Sequence, residues 1–335
     1  GGQAVYMNQK RRLNWGGLIG HIPYRSVRTF ASLDTVNVNG QQVIGTRYDV
    51  VFQRIFVQRA WSRLEFPLSQ NRRLEFNTGY TRIAFSQERE TFVSIGGFIV
   101  DRRKEDLGGP PALNLFQSSA AYVGDYSFFG FTSPVNGRRY RFEVQPTFGS
   151  LRYMTFLADY RHYFFANPVT FALRLYHEAR YLKDAEDNRL SPMFLGYETL
   201  VRGYSIGSID AAECTDPENP DRCPVYDRLI GSRIGIFNAE IRLPLFGTQQ
   251  FGLINFPYLP TELAAFFDGG VAWTQDEQPE ITWKERSNKR IPVFSTGLAA
   301  RVNLLGYIVG QVYYAIPFQR PEKDGLFGFV FAAGW

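Results

Sequence analysis

Apolar and polar residues alternate along much of this chain with a period of two. Within 139–148, Tyr140, Phe142, Val144, Pro146 and Phe148 alternate with Arg139, Arg141, Glu143, Gln145 and Thr147. Within 171–182, Leu173, Leu175 and Ala179 alternate with Arg174, Tyr176, Glu178 and Arg180, and 155–164 repeats the pattern with Asp159 and Arg161 on its polar side. Successive side chains of a strand point to opposite faces, so each segment is a strand with one apolar and one charged face. The same reading places strands at 3–8, 13–24, 60–67, 73–84, 113–128, 231–244, 262–273, 293–304, 307–317 and 326–335.

The links between strands fall into two classes. Short ones lie at 69–73, 133–139 and 165–168, and apolar–Pro–apolar strand ends recur at Phe66-Pro67-Leu68, Leu243-Pro244-Leu245 and Ile316-Pro317-Phe318. Long polar excursions span 26–45, 86–112, 183–231 and 275–290. Short turns at one end and long loops at the other are the mark of an outer-membrane barrel. A soluble sandwich also alternates, but here the apolar faces are aromatic near strand ends and the polar faces mix Arg with Glu. The segments fit the roughly 9–11 tilted residues that a spanning strand needs. A lipid-facing sheet must close on itself to satisfy its backbone. The expectation is therefore an all-β transmembrane antiparallel barrel occupying 1–335, with roughly 14–16 strands because such barrels carry even numbers. A further strand is sought in 46–57, in 92–101 or upstream. The final segment, LFGFVFAAGW, puts Phe327, Phe329, Phe331 and Trp335 on one face, as expected of a C-terminal assembly signal.

Composition narrows this further. The chain has 335 residues, 44% hydrophobic and 16% aromatic, and no apolar run approaches the length of a membrane helix. Net charge is +5, a mild excess that predicts no nucleic-acid partner. Only Lys10, Lys104, Lys183, Lys284, Lys289 and Lys323 are lysines among 37 basic residues. Arginine dominance suits confined ion pairs, because the guanidinium fork can hold two carboxylate oxygens at once. Cys214 and Cys223 lack nearby histidines and make a poor zinc site; a disulfide clipping the long loop is expected, and with it an oxidising compartment. The N-terminal GGQAVYMNQKRR has no signal-peptide pattern and fits a mature product or a piece of a longer chain.

Within 183–231 the alternation is lost, yet the segment contains Val201-Arg202-Gly203-Tyr204. This VRGY resembles the VRGF/VRGY motif of the Omp85 superfamily, outer-membrane barrels that insert or translocate other proteins. FFDGG at 266–270 resembles the F-x-D-x-G strand motif of that family, and 301–335 resembles its last three strands. The likeness is clear from about Tyr197 to Trp335. It implies sixteen strands, a long loop at 183–231 folded into the lumen, and Arg202 meeting an acidic residue on each of the two following strands. By alternation those are Glu240, on the face of Asn238 and Arg242, and Asp268, on the face of Glu262 and Gly270. Roughly eighteen residues separate Leu182 from Val201, enough at about 3.3 Å each to reach well down a lumen. Gly203 permits close approach or positive φ, and Tyr204 packs against the wall. The family also implies a lateral gate between first and last strands. No POTRA-like αβ repeats are visible, so the client is open.

The residues predict no enzyme. His21, His162 and His177 have no neighbouring nucleophile motif, and G-x-S-x-G, HExxH and P-loop patterns are absent. No cofactor or metal is expected. The expected partners are outer-membrane lipids and a client polypeptide, with a periplasmic domain or accessory lipoproteins as further candidates. The rival readings are a passive pore and a membrane anchor for an upstream soluble domain.

Overall fold

The computed structural model describes residues 1–38, 41–214, 223–285, 287 and 289–335. Its strands are β1 (Gly2–Asn8), β2 (Asn14–Val38), β3 (Gln41–Pro67), β4 (Arg72–Ile95), β5 (Phe98–Gly108), β6 (Leu113–Asp125), β7 (Phe128–Phe129), β8 (Pro134–Gly149), β9 (Tyr153–Ala166), β10 (Val169–Tyr181), β11 (Met193–Phe194), β12 (Ile230–Gly231), β13 (Arg233–Gly247), β14 (Ile254–Asn255), β15 (Thr261–Trp273), β16 (Val293–Leu304), β17 (Ile308–Pro317) and β18 (Leu326–Phe331). Sixteen of them form one sheet whose path of neighbours is β1-β2-β3-β4-β6-β8-β9-β10-β13-β15-β16-β17-β18; off this path β5 pairs with β4, β7 with β8 and β14 with β13, and β11 pairs with β12 separately. One four-residue α-helix, α1 (Pro224–Asp227), interrupts the long loop. No described helix is long and apolar enough to cross a membrane.

The chain divides into two compact units. The first comprises Gly1–Glu65, Phe76–Ser118 and Thr147–Arg152. Here β2 and β3 stay paired from Asn14↔Glu65 to Val38↔Gln41, and β4 continues against β5 from Gln87↔Gly108 to Ile95↔Phe98. The excursions expected at 26–45 and 86–112 are thus extended hairpins; 46–57 continues β3, and 92–101 spans the end of β4, its turn and the start of β5. Residues 39–40 lie outside the described residues. The alternation fails here for a physical reason. Val27, Phe30 and Leu33 put exposed apolar side chains on both faces of β2. Glu88, Arg89 and Glu90 put charges on both faces of β4 and pair across to Lys104, Glu105 and Arg102 at 2.7, 3.4 and 3.0 Å. A ladder held by its backbone and by cross-strand ion pairs leaves no period-two hydrophobic trace.

The second unit comprises Phe66–Glu75, Ser119–Pro146 and Tyr153–Trp335. Its strands keep the predicted alternation. Exposed Phe164, Phe171, Leu173, Leu175, Ile241, Leu263 and Leu298 lie on one face, while Arg174, Asn238, Glu240, Arg242, Glu262, Asp268 and Arg301 are buried on the other. Pro244 does not end β13; the register shifts between Pro244 and Phe246, a bulge that accommodates a residue with no ladder donor. The alternation of the final segment also stops early. Phe327, Phe329 and Phe331 are exposed on β18, but the strand ends at Phe331. Trp335 leaves their face and lies with its ring 5.0 Å from the Arg242 guanidinium carbon. The buried charged face supplies the pull: Arg242 Nη2 donates to the Trp335 carbonyl at 3.0 Å, and the Gly334 amide donates to the Thr132 carbonyl at 3.0 Å.

Candidate functional site

The loop after β10 is irregular but not loosely attached. β11 and β12 bring its two ends together through Met193↔Gly231 and Phe194↔Ile230. The Leu195 amide donates to the Leu229 carbonyl at 2.9 Å. Cys214 and Cys223 are joined by a disulfide; residues 215–222 between them lie outside the described residues, as do 286 and 288 of the excursion at 275–290. Leu195, Val201, Tyr204 and Leu229 form an apolar core with Ile234, Ile236, Ala272 and Val293 of β13, β15 and β16. The close approach needs Gly270, where a Cβ would stand 2.8 Å from Val201 Cγ2. The loop's tip is thus pressed on the polar face of the sheet by its own hydrophobic residues.

Docking carries Arg202 onto the carboxylates. Its Nε and Nη2 donate to the two oxygens of Asp268 at 2.7 and 2.8 Å, and its backbone amide donates to the same carboxylate at 3.2 Å. Its Nη1 lies 2.8 Å from Glu240 Oε1. The Phe266 ring lies under the guanidinium, 3.5 Å from Cζ to the centroid, an arrangement favoured by the ring's negative face. Arg202 is 3% exposed, and both carboxylate side chains are inaccessible. Burial works against the Arg202 charge, but Asp268 and then Glu240 more than offset it and hold the group above its ordinary range.

The cluster is larger than the motif. Arg301 donates to Glu240 at 2.7 and 2.8 Å, to Glu262 at 2.7 Å and to Gln311 at 2.6 Å. Arg242 Nε donates to Glu240 Oε2 at 2.7 Å. Ser133 and Thr132 donate to Glu262 Oε2 at 2.5 and 3.3 Å. Asn238 bridges Asp268 and the Leu200 carbonyl at 2.9 and 2.7 Å. Arg202, Arg242 and Arg301 thus balance Glu240, Glu262 and Asp268, and each charged group is hydrogen-bonded, the condition under which buried charges are tolerated.

A second anchor holds the loop beyond its tip. Arg320, between β17 and β18, is fully buried. It donates to both oxygens of Glu213 at 2.8 Å, to the Gly203 carbonyl at 2.7 Å, and to the hydroxyl and carbonyl of Ser208 at 2.9 and 2.6 Å. The Tyr204 hydroxyl donates to the Phe294 carbonyl at 2.9 Å and lies 3.2 Å from Gln319 Oε1. Burial pushes the Tyr204 phenol above its usual value. Burial also opposes the Glu213 charge, yet Arg320 and the Asp210 amide prevail and set that carboxyl below the usual range. Gly203 has φ +87°, and a Cβ there would meet Ala315 Cβ at 3.2 Å. The structure therefore brings Val201, Arg202, Gly203, Tyr204, Glu240 and Asp268 together and sets Phe327, Phe329 and Phe331 apart. Alternation had put Arg242 and Glu262 on this face; Arg301, Arg320 and Glu213 went unnoticed.

The chain matches the Omp85 superfamily domain over residues 50–335. No curated protein matches it. Among solved structures it is similar to BamA from Haemophilus ducreyi lacking POTRA domains 1–3, at 12% identity and a TM-score of 0.47, covering 98% of this chain and 69% of that one.

Proposed function

The chain belongs to the Omp85 superfamily, and from this membership we propose that it is an outer-membrane β-barrel whose sheet closes in that membrane and inserts or translocates client polypeptides. One observation supports this above the rest: a loop tip held by a six-charge cluster on the polar face, centred on Arg202, Glu240 and Asp268. Burying six charges is costly unless their geometry is maintained, so such a cluster suits a device that holds a loop in one place. A passive pore gains nothing from it. In this reading the loop fills the lumen while clients engage the wall, and client folding supplies the free energy without a catalytic step by this chain.

The test uses the full chain in phospholipid vesicles, supplied with an unfolded outer-membrane β-barrel as client. Protease-protected client should accumulate with the wild type and fall with Arg202→Ala. Planar-bilayer conductance separates the rival: deleting 188–227 should open a wide channel, whereas equal conductance with and without the loop, and no client assembly, would leave the passive pore.

A further inference from the structure

Three strand ends meet in the second unit: the start of β4, the end of β6 and the start of β8. The Asp125 amide donates to the Asn71 carbonyl, and the Tyr126 amide to the Arg138 carbonyl, both at 2.8 Å. Alternation then sorts the arginines. On the polar face each has a carboxylate: Arg73 with Glu75 at 2.7 Å, Arg139 with Asp125 at 3.1 Å, and Arg141 with Glu75 at 2.8 Å and Glu143 at 2.6 Å.

The opposite face is different. Arg72 and Arg138 are exposed there beside Leu74, Tyr122, Tyr126, Tyr140 and Phe142. Arg138 Cζ lies 5.3 Å from the Tyr126 ring centroid. The Tyr140 hydroxyl donates to that of Tyr122 at 3.2 Å. Among the described residues no carboxylate pairs with either arginine. Two guanidiniums on an apolar face, with no protein anion, are costly against hydrocarbon. They are stabilised at the headgroup level, where their stems lie along apolar surface and their heads meet phosphate.

We propose that Arg72 and Arg138, with the hydroxyls of Tyr122 and Tyr126, bind the phosphate of an anionic glycerophospholipid. Leu74 and Phe142 lie farther along the same face and take its acyl chains; Phe142 is 45% exposed and stacks on Tyr140 at 5.8 Å. Tyrosines at this level are the usual occupants of a membrane interface. The guanidinium forks supply selectivity, since each matches two phosphate oxygens. The site rests on the membrane-spanning reading above.

Native mass spectrometry of the full chain in a non-ionic detergent, titrated with phosphatidylglycerol, phosphatidylcholine or inorganic phosphate, tests this. The wild type should prefer phosphatidylglycerol, and the Arg72→Gln/Arg138→Gln double variant should bind it about 30-fold more weakly, the loss of two arginine–headgroup contacts. Arg139→Gln, on the polar face in an exposed pair, should bind as the wild type does. Unchanged binding by the double variant, or equal uptake of both lipids by the wild type, overturns the proposal. Displacement of the lipid by inorganic phosphate would make the site one for free anions and overturn it too. Resistance of vesicle-bound protein to alkaline extraction is read separately. A wild type that washes off sinks the membrane reading itself, while one that stays embedded yet shows no arginine dependence sinks only the lipid site.

Discussion

Asp268 accepts three hydrogen bonds from a single residue, Arg202: from Nε at 2.7 Å, Nη2 at 2.8 Å and the backbone amide at 3.2 Å. Because the amide takes part, the contact fixes the loop's main chain as well as its side chain. Replacing Arg202 with Ala strands the buried Asp268 carboxylate, while Glu240 keeps Arg242 and Arg301. The expected loss is about 3–5 kcal/mol of stability, measured by thermal unfolding in detergent. Arg202→Lys should recover only part of it, since an ammonium cannot span both Asp268 oxygens.

Arg301 and Glu262 form a pair inside the same cluster, so their substitutions should not add. Arg301→Met alone leaves Glu262 without its arginine, and Glu262→Gln alone leaves Arg301 with Glu240 as its one carboxylate. Together they restore neutrality, and the double variant should be more stable than the sum of the two losses implies by about 0.5–3 kcal/mol. Additive losses in a double-mutant cycle would show the two charges to be independent.

Gly203 is needed for its backbone as much as for its size. At φ +87°, with Ala315 Cβ 3.2 Å from where a side chain would begin, Gly203→Ala is expected to cost about 1–2 kcal/mol from the left-handed conformation alone. Hydrogen exchange should rise in 200–209 and stay unchanged in β9 and β10.

Acid should loosen the second anchor. The Glu213 carboxyl sits below its ordinary value of 4.5 because Arg320 outweighs the cost of burial. A depressed carboxylate contributes stability that is fully present above the unfolded value and is lost as pH falls through the folded one. Protection of 203–214 from exchange should therefore be level from neutral pH down to about 5 and decline below it. In Glu213→Gln the protection should be low at neutral pH and nearly independent of pH over that range. A wild-type profile without the acid decline would remove Glu213 from the anchor.

Much of the sheet was legible because half-buried strands write their burial into a period of two. That rhythm put Asn238, Glu240, Arg242, Glu262 and Asp268 on one face without any knowledge of partners, and VRGY supplied the residue that joins them. The hairpins of β2–β3 and β4–β5 were illegible where neither face is uniformly apolar. Arg320 and Glu213 were illegible for another reason: both lie in connections, where no periodicity relates residue to direction. Their pairing joins positions 107 residues apart in sequence. Trp335 misled because alternation cannot foresee where a strand stops, and the pull on it came from Arg242, far away in the chain.

The position of Trp335 ties the chain's last residues to the loop tip by thermodynamic linkage. Its carbonyl accepts from Arg242, Arg242 donates to Glu240, and Glu240 pairs with Arg202. A molecule that draws 332–335 away relieves Arg242 of an acceptor and alters the field at Glu240. By reciprocity, if withdrawal of the tail loosens Arg202, then whatever loosens Arg202 favours withdrawal of the tail by the same factor. Tail and loop are thus two handles on one equilibrium, and a ligand grasping either is felt at the other.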